Sequence, residues 1–357
     1  MSSVPKIAML LKSIHLQDFR SYKMKKFKFS SGITLVVGPN TSGKTNLLEA
    51  IYLLATGRSF RAGVEREMIS YGRDIARVKG RVEGEDGVEN LEIVLTVGQV
   101  GREKVPKKRY LINGVGKRMV DFVGQFRCVL FGPEDLEIII NSPSIRRGYL
   151  DGVLEQVDRD YRRASLSYQK GLRQRNKLLE QIREQGKPRS ILFFWDKLLI
   201  ENGEIITQKR EEFIDFVNQQ PGHFGRLNLH HDQSVISPQR LEKYAEEEVA
   251  AGMTLVGPHR DDFVVQIEKR DLHAFGSRGE QRTAVFSLKL AELEFVAQKT
   301  GERPVLLLDD ILSELDQAHR ARIFEVIPKQ QTIITTTDVS LIGKESLQEV
   351  EKVNLGS

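Results

Sequence analysis

The chain has 357 residues, a formal net charge of +5 and 40% hydrophobic residues, so we expect a soluble protein with two domains, or with one domain that carries a large insertion. Cys128 is its only cysteine, which excludes an internal disulfide and fits a cytoplasmic protein. No apolar run approaches the about 18 residues of a membrane span, and the small excess of basic residues permits a polyanionic partner without requiring one.

A phosphate-binding loop is the first motif along the chain. Strand-like segments at 11–16 and 23–29 precede the apolar run 33–37, and helical apolar spacing begins at 46. Between the run and the helix lies a G-x4-G-K-[ST] motif, Gly38-Pro39-Asn40-Thr41-Ser42-Gly43-Lys44-Thr45. Glycine lets backbone N–H groups surround an anion at a helix N-terminus, and strand, loop and helix are the context that this motif needs. We predict that these residues bind ATP, with Lys44 on the β- and γ-phosphates and Thr45 on Mg²⁺.

A basic loop follows the helix of this motif. The helix is expected to end near Gly57, and Arg58-Ser59-Phe60-Arg61 comes directly afterwards. Arginine suits phosphate recognition, and Arg61 is close enough in sequence to reach phosphates in the loop. A nucleotide contact, a DNA contact and a solvated loop all stay open for Arg61.

Between 75 and 114 the apolar period changes to two. Arg77, Lys79 and Arg81 alternate with apolar neighbours, which predicts antiparallel strands with one wet face. A second basic run covers 102–109. Such runs are usually solvated surface, but they also match a DNA phosphate backbone. Our candidate DNA contacts are Arg61, Arg77, Lys79, Arg81, Lys107, Lys108 and Arg109.

A helical insertion comes next. Nearly heptad apolar spacing from Leu154 to Ile182, a turn at 186–190 and a second apolar helix from Ile191 to Phe216 predict an antiparallel helical hairpin. We assign 143–251 to an inserted helical domain. The flanking segments 1–142 and 252–357 are assigned to the two parts of an ATPase head.

The second half of the nucleotide site is predicted near the C-terminus. The buried apolar run 305–308 ends in Asp309 and Asp310, which is the form of a Walker B motif. Asp309 at the strand end is expected to reach Mg²⁺, and Asp310 to hold the attacking water or accept its proton. Most ABC-type ATPases carry Glu at the position of Asp310, so we expect slow hydrolysis from the shorter side chain.

Residues 277–281, Ser-Arg-Gly-Glu-Gln, precede a helix and resemble the signature motif of ABC-type ATPases. In that class the motif acts on a nucleotide held by a second protomer, so Ser277, Gly279 and Gln281 are predicted to contact ATP across a dimer. Residues 313–316 resemble the D-loop. The segment 333–338, Ile-Ile-Thr-Thr-Thr-Asp, has the place of the switch strand, although no His follows it as in many ABC transporters.

Several longer motifs together resemble the RecF family of bacterial DNA replication and repair proteins, which are SMC-like ABC-type ATPases. They are Phe19-Arg20-Ser21-Tyr22, Arg58-Ser59-Phe60-Arg61, 133–136 with 142–151, 257–262, and Asp309-Asp310 with 313–316. The resemblance covers almost the whole chain. It implies an α/β fold, namely an ABC-type P-loop ATPase head with a mixed sheet, an antiparallel β subdomain and an inserted helical domain. It also implies an ATP-dependent homodimer that binds gapped DNA and single-strand/double-strand junctions, and that acts with RecO and RecR in loading RecA.

Two alternatives stay open at this point. The chain could be the soluble ATPase subunit of a transport complex, although such a subunit would have a shorter insertion and usually a switch His. It could also be a nucleotide-gated scaffold without useful turnover, which the intact Asp309 and Asp310 disfavour. One departure from the family pattern is Thr41, which stands where such loops commonly carry glycine.

Overall fold

The computed structural model describes residues 7–85, 87–221, 226–313, 315–339 and 350–355. The chain forms two compact units, one of Met1–Asp135 with Glu292–Ser357 and the other of Leu136–Ala291. In the described part of the chain, no helix combines the length and the apolarity that a bilayer crossing demands.

The strands are as follows: β1 (Ile7–Ala8), β2 (Leu10–Phe19), β3 (Tyr22–Lys28), β4 (Ile33–Val37), β5 (Ile75–Gly84), β6 (Gly87–Thr96), β7 (Gln99–Val100), β8 (Glu103–Lys104), β9 (Lys108–Ile112), β10 (Val115–Lys117), β11 (Cys128–Phe131), β12 (Leu227–Asp232), β13 (Asp262–Ile267), β14 (Arg270–Asp271), β15 (Glu302–Arg303), β16 (Val305–Asp309), β17 (Thr332–Thr336) and β18 (Val350–Asn354).

The α-helices are as follows: α1 (Lys44–Thr56), α2 (Met119–Phe122), α3 (Glu137–Ile140), α4 (Pro143–Val157), α5 (Arg159–Gln185), α6 (Phe193–Asn218), α7 (Pro238–Lys243), α8 (Ala245–Ala251), α9 (Leu272–Phe275), α10 (Arg278–Thr300) and α11 (Gln317–Val326).

The first unit contains two large sheets. Five parallel strands lie in the order β11-β16-β17-β4-β18, and six antiparallel strands lie in the order β10-β9-β6-β5-β2-β3. The predicted mixture of parallel and antiparallel strands is therefore divided between separate sheets. The strand before the phosphate loop, β4, and the strand that ends in Asp309, β16, both border β17, so their carboxyl ends lie at one sheet edge.

Helix α1 packs against strands of both sheets. Its side chains Leu47, Leu48, Ile51 and Leu54 are fully buried and join an apolar cluster that includes side chains from both sheets. Because α1 begins at Lys44, this packing fixes the position of the phosphate loop.

The second unit is mainly helical, and α5 and α6 pack as the predicted hairpin. The Asp158 carboxylate caps the start of α5 by accepting hydrogen bonds from the N–H groups of Asp160 and Tyr161. Gly171, which interrupts the apolar spacing, lies where the helices approach closely, because a Cβ there would be 2.5 Å from Leu198 Cδ2.

The predicted insertion, 143–251, lies wholly within the second unit. Residues 252–291 pack with it as well, because β13 pairs with β12 and α9 contacts β13. The compact units thus divide at 135/136 and 291/292, whereas the domain boundaries that we assigned at 142/143 and 251/252 stay a prediction.

Candidate nucleotide-binding site and nucleic-acid surface

The phosphate loop is closed around the Lys44 side chain. Lys44 is 7% exposed, and its Nζ donates hydrogen bonds to the carbonyl oxygens of Gly38 at 2.7 Å and Pro39 at 3.1 Å. The ammonium group therefore sits inside the loop, where an anion held by the loop would meet it.

Two residues of the loop have left-handed backbone geometry. Gly43 has a φ of 102°, and a Cβ at this position would lie 2.8 Å from the hydroxyl oxygen of Tyr22, whose hydroxyl donates to the Gly43 carbonyl. Only glycine fits there. Thr41 has a φ of 71°, which is unfavourable for a β-branched residue. The departure from the family pattern at Thr41 thus coincides with a position where glycine would be unstrained.

Asp309 joins the loop to the strand between the two motifs. Its Oδ1 accepts a hydrogen bond from Thr335 Oγ1 at 2.7 Å and one from Thr45 Oγ1 at 3.3 Å. Thr45 lies in the first turn of α1, Asp309 ends β16 and Thr335 belongs to the intervening β17. Thr335 was not among our candidates, because its role depends on which strand separates the two motifs.

The Asp309 carboxyl is only 3% exposed. Burial raises its pKa, the hydrogen bonds from Thr335 and Thr45 oppose that shift, and the nearby carboxylates of Glu134 and Asp310 add to it. A cation beside Asp309 would relieve this penalty, so the environment suits a carboxylate that binds a metal ion.

Asp310 follows directly in a left-handed conformation, with a φ of 50°. Its backbone N–H donates to Thr335 Oγ1 at 3.0 Å, and its carbonyl accepts from Ser313 Oγ at 2.8 Å. The backbone of Asp310 is therefore held in place at the edge where Asp309 and Thr45 meet. Of the predicted D-loop, Glu314 lies outside the described residues.

Arg61 lies beside the first turn of α1. Its Nη1 is 3.5 Å from Asn46 Oδ1, two residues after Lys44, and the side chain is exposed. The structure thus places Arg61 near the phosphate loop, which favours the nucleotide contact over the other two interpretations.

The donor set of this site fits a bound nucleoside triphosphate. Ser42 Oγ is buried within the loop without a hydrogen-bond partner among the described residues. The Lys44 ammonium contacts only loop carbonyls there, and the N-terminus of α1 opens into the loop. An orphaned hydroxyl, a cation and a helix N-terminus are complementary to phosphate oxygens.

The signature-like motif lies in the second unit and caps its own helix. Ser277 Oγ accepts from the Glu280 N–H at 3.3 Å, and Glu280 Oε2 accepts from the Ser277 N–H at 2.8 Å, which is a capping box. Ser277 and Gly279 are exposed, and a Cβ at Gly279 would meet nothing within 4 Å. Gln281 is 8% exposed and donates to the Leu272 carbonyl, so its amide supports the motif rather than facing outward.

The outer face of the six-stranded sheet is basic. Arg77, Lys79 and Arg81 are exposed on β5, as the alternation predicted. Two rows of paired residues cross from β5 through β2 to β3 on this face. The first row is Lys79, His15 and Lys26, and the second is Arg81, Ser13 and Lys28. Lys26 and Lys28 were not among our candidates, because only strand pairing shows that β3 extends the same face.

The 107–109 segment divides between two faces. Arg109 is exposed and pairs with Val94, which also pairs with Arg77, so Arg109 belongs to the outer face. Lys107 is exposed as well. Lys108 instead donates to the Gly57 carbonyl at 2.8 Å and forms an ion pair with Glu65 at 3.2 Å. Its ammonium is already engaged, which makes Lys108 the weakest of the seven DNA candidates.

Comparison with known proteins identifies the family. The model of the RecF/RecN/SMC N terminal domain matches residues 10–354. A DNA replication and repair protein RecF from Herpetosiphon aurantiacus is 37% identical, over 97% of this chain and 98% of the relative. The chain belongs to the RecF family. Another RecF, from Exiguobacterium sp., is also 37% identical, over 96% of each chain.

A solved structure of the recombination mediator protein RecF with ATP, described as part of the RecFOR pathway, has a TM-score of 0.86 to this chain. It is 35% identical and covers 94% of each chain. The match confirms the predicted ABC-type ATPase fold class, and RecF proteins form one family with the SMC-type ATPases. The transport-subunit alternative is not favoured.

Proposed function

We propose that this RecF-family chain is an ATP-dependent DNA-binding protein of recombinational repair, with slow, DNA-dependent ATP hydrolysis that serves as a switch. The observation that carries the proposal is the meeting of Thr45, Asp309 and Thr335 beside a loop that encloses Lys44. This arrangement joins a phosphate site to a carboxylate at the edge of one parallel sheet, as ATP with Mg²⁺ requires. The related solved structure contains ATP.

Within this site the residues have separate tasks. Lys44 and the loop N–H groups bind the β- and γ-phosphates, while Thr45 and Asp309 hold Mg²⁺, which when bound neutralises charge on those phosphates. Asp310 lies one residue beyond Asp309, at the strand end, and holds the attacking water or accepts its proton. Aspartate reaches less far than the usual glutamate, which supports slow turnover.

DNA binding is supported by the outer sheet face. Five basic side chains lie on that face on the two strands that flank β2, namely Lys26 and Lys28 on β3 and Arg77, Lys79 and Arg81 on β5. Glu92 pairs with Arg77 at 2.9 Å and offsets part of the charge. Because neighbouring strands lie about 4.8 Å apart, these side chains form a basic surface wide enough to contact successive phosphates of a DNA backbone. Gapped duplexes and single-strand/double-strand junctions are the proposed targets.

An ATP-dependent homodimer is supported by the surface around Ser277. Phe275 is 72% exposed, and the backbone at Gly279 is open to approach. An exposed aromatic next to an open helix N-terminus fits a surface that another protomer covers. We further propose RecO and RecR as partners in RecA loading, because the related structure is placed in the RecFOR pathway.

The deciding experiment measures oligomeric state and affinity for gapped DNA with and without ATP·Mg²⁺. We expect ATP, but not ADP, to produce dimers and to tighten DNA binding. Lys44→Ala should lose ATP binding and both responses, because the loop loses its cation. Asp310→Asn should bind ATP and dimerise but hydrolyse it more slowly, since Asp309 stays in place. Unchanged ATP affinity in Lys44→Ala would remove the loop from the proposal.

A further inference from the structure

Glu49 is a buried carboxylate that the proposed ATP site does not use directly. It lies on α1, is fully buried, and accepts two hydrogen bonds from Arg20, from Nε at 2.8 Å and from Nη2 at 2.6 Å. The hydroxyl of Ser59 also donates to Glu49 Oε1. A buried charge needs such compensation, and the three contacts fix the direction in which Oε1 points.

Ser59 connects Glu49 to the loop after α1 by hydrogen bonds. Its single hydroxyl hydrogen goes to Glu49, while its oxygen accepts the backbone N–H of Arg61 at 2.9 Å and that of Ala62 at 2.7 Å. The hydroxyl is thereby saturated. Its contacts hold the backbone of Arg61 in one position relative to α1.

Arg61 itself is free to change its side-chain conformation. Its guanidinium is exposed, and Nη1 makes one long contact of 3.5 Å with Asn46 Oδ1. Asn46 is held in turn by a hydrogen bond from its Nδ2 to Ser21 Oγ at 2.9 Å. Arg20 and Ser21 lie in one turn between β2 and β3. This turn therefore holds both Glu49, through Arg20, and Asn46, through Ser21.

We propose that Ser59, oriented by Glu49 and Arg20, is a positioning residue that aims Arg61 at the phosphates of ATP. The inference rests on the proposed ATP binding. A guanidinium whose backbone is fixed beforehand loses less conformational freedom on binding phosphate. The two sequence motifs around Arg20 and Ser59 thereby have one common role, which is to place the Arg61 guanidinium at the phosphate loop.

The test is a thermodynamic cycle for ATP·Mg²⁺ affinity, measured by calorimetric titration of the full chain. Arg61→Ala should weaken binding roughly ten- to hundredfold, as for the loss of a charge-assisted hydrogen bond. Ser59→Ala should cause part of this loss. In the Arg61→Ala background, Ser59→Ala should change the affinity by less than about twofold, because the side chain that it positions is gone.

A merely structural role for Ser59 would give a different pattern. Ser59→Ala would then weaken binding by the same factor in both backgrounds, and that result would overturn the inference. Ser59→Thr keeps the hydroxyl and should restore affinity. Ser13→Ala on β2, half-buried like Ser59, is the matched control and should leave affinity unchanged. Should Ser59→Ala not fold, Glu49→Gln must show the same dependence on Arg61.

Failure of the inference is distinguishable from failure of the proposed function. Wild-type ATP binding that Lys44→Ala abolishes, together with full affinity in Arg61→Ala, would overturn the positioning role alone. An absence of ATP binding by the wild-type chain would overturn both.

Discussion

Thr45 and Asp309, 264 positions apart in the chain, meet at the carboxyl edge of the parallel sheet, where the threonine hydroxyl donates to the carboxylate at 3.3 Å. The same carboxylate oxygen accepts from Thr335. These contacts orient Asp309, but they do not remove the cost of burying its charge, since burial still raises its pKa. The buried carboxylate therefore lowers the stability of the folded chain, and a bound cation would reduce that cost.

Asp309→Asn should raise the free energy of unfolding without nucleotide by about 0.5–2 kcal/mol at pH 7, because a neutral amide replaces a buried charge. It should also abolish the Mg²⁺ dependence of ATP binding. The raised pKa means that the folded wild type binds more protons than the unfolded chain in a window above the ordinary carboxyl pKa of about 4, so its stability falls as the pH rises through that window.

The measurement is denaturant unfolding of both proteins between pH 4 and pH 8. The stability difference between variant and wild type should shrink as the pH falls, because Asp309 becomes protonated. Thr332→Ser, a buried change at the start of the strand that carries Thr335, controls for a general disturbance of the sheet. An Asn variant that is less stable than the wild type at pH 7 would show that the hydrogen bonds outweigh the burial penalty.

The parts of this site that the sequence predicted are those that short spacing defines. Lys44 and Thr45 follow a glycine loop, Asp309 ends an apolar run, and Arg77 to Arg81 alternate with apolar residues, so each prediction depended on local backbone geometry. All of these features have the predicted local structure.

The parts that the sequence did not predict depend on long-range pairing. Thr335 reaches Asp309 only because β17 lies between β4 and β16. Lys26 and Lys28 extend the basic face only because β3 pairs with β2 in one register. The role of Glu49 needed the turn at Arg20 to fold back onto α1. Strand order and register are set by the whole core, so local spacing cannot specify them.

Thr41→Gly should stabilise the chain by roughly 0.5–1 kcal/mol. Removing the left-handed strain should stabilise the folded chain by about 1–2 kcal/mol. The greater flexibility of glycine in the unfolded chain should offset about 0.5–1 kcal/mol of that gain. Thr41 is exposed, so loss of its side chain costs little packing. Thermal and urea unfolding give the comparison.

Thr41→Asn and Thr41→Val serve as matched variants for this prediction. Asparagine tolerates positive φ and should give part of the gain, whereas valine is β-branched and should give none. Equal stabilities for all four proteins would mean that the loop adopts a different backbone at position 41 in solution.

The basic sheet face predicts the salt dependence of DNA binding. Replacing Lys79 and Arg81 by Ala should weaken binding to duplex DNA and lower the slope of log affinity against log salt by about 2, because two phosphate contacts are lost. Lys108→Ala should leave the slope unaltered, since the Lys108 ammonium is held by Gly57 and Glu65.

Fluorescence anisotropy with one labelled duplex, measured at several salt concentrations, separates these cases. Lys197→Ala, an 80% exposed lysine on α6, is the control for a general loss of positive charge. If the Lys79 and Arg81 variant keeps the wild-type slope while Lys108→Ala lowers it, DNA binds on another face.

The surface around Ser277 predicts how ATP controls assembly. If Ser277 and the N-terminus of α10 contact the γ-phosphate held by a second protomer, ATP joins two chains and ADP does not, because the γ-phosphate supplies the difference in affinity. Ser277→Arg should then keep ATP binding, which depends on Lys44 of the same chain. It should prevent dimerisation, because the larger side chain crowds the phosphate of the partner.

The capping box gives this substitution a second effect that must be separated from crowding. Loss of the Ser277 cap costs about 1 kcal/mol of stability by itself. Ser237→Arg is the matched control, because Ser237 also caps a helix of the same unit by accepting the Arg240 N–H at 3.2 Å. Ser237→Arg should lose a similar cap and still dimerise with ATP.

Analytical ultracentrifugation with ATP·Mg²⁺ provides the direct measurement. A mixture of Ser277→Arg with Lys44→Ala should contain heterodimers with one complete composite site, although each variant alone has none. Such heterodimers form only if the phosphate loop and the signature motif of one site come from different chains. A site built within one chain would not be restored by mixing the two variants. Dimerisation of Ser277→Arg alone, to the same extent as the wild type, would show that the N-terminus of α10 lies outside the interface.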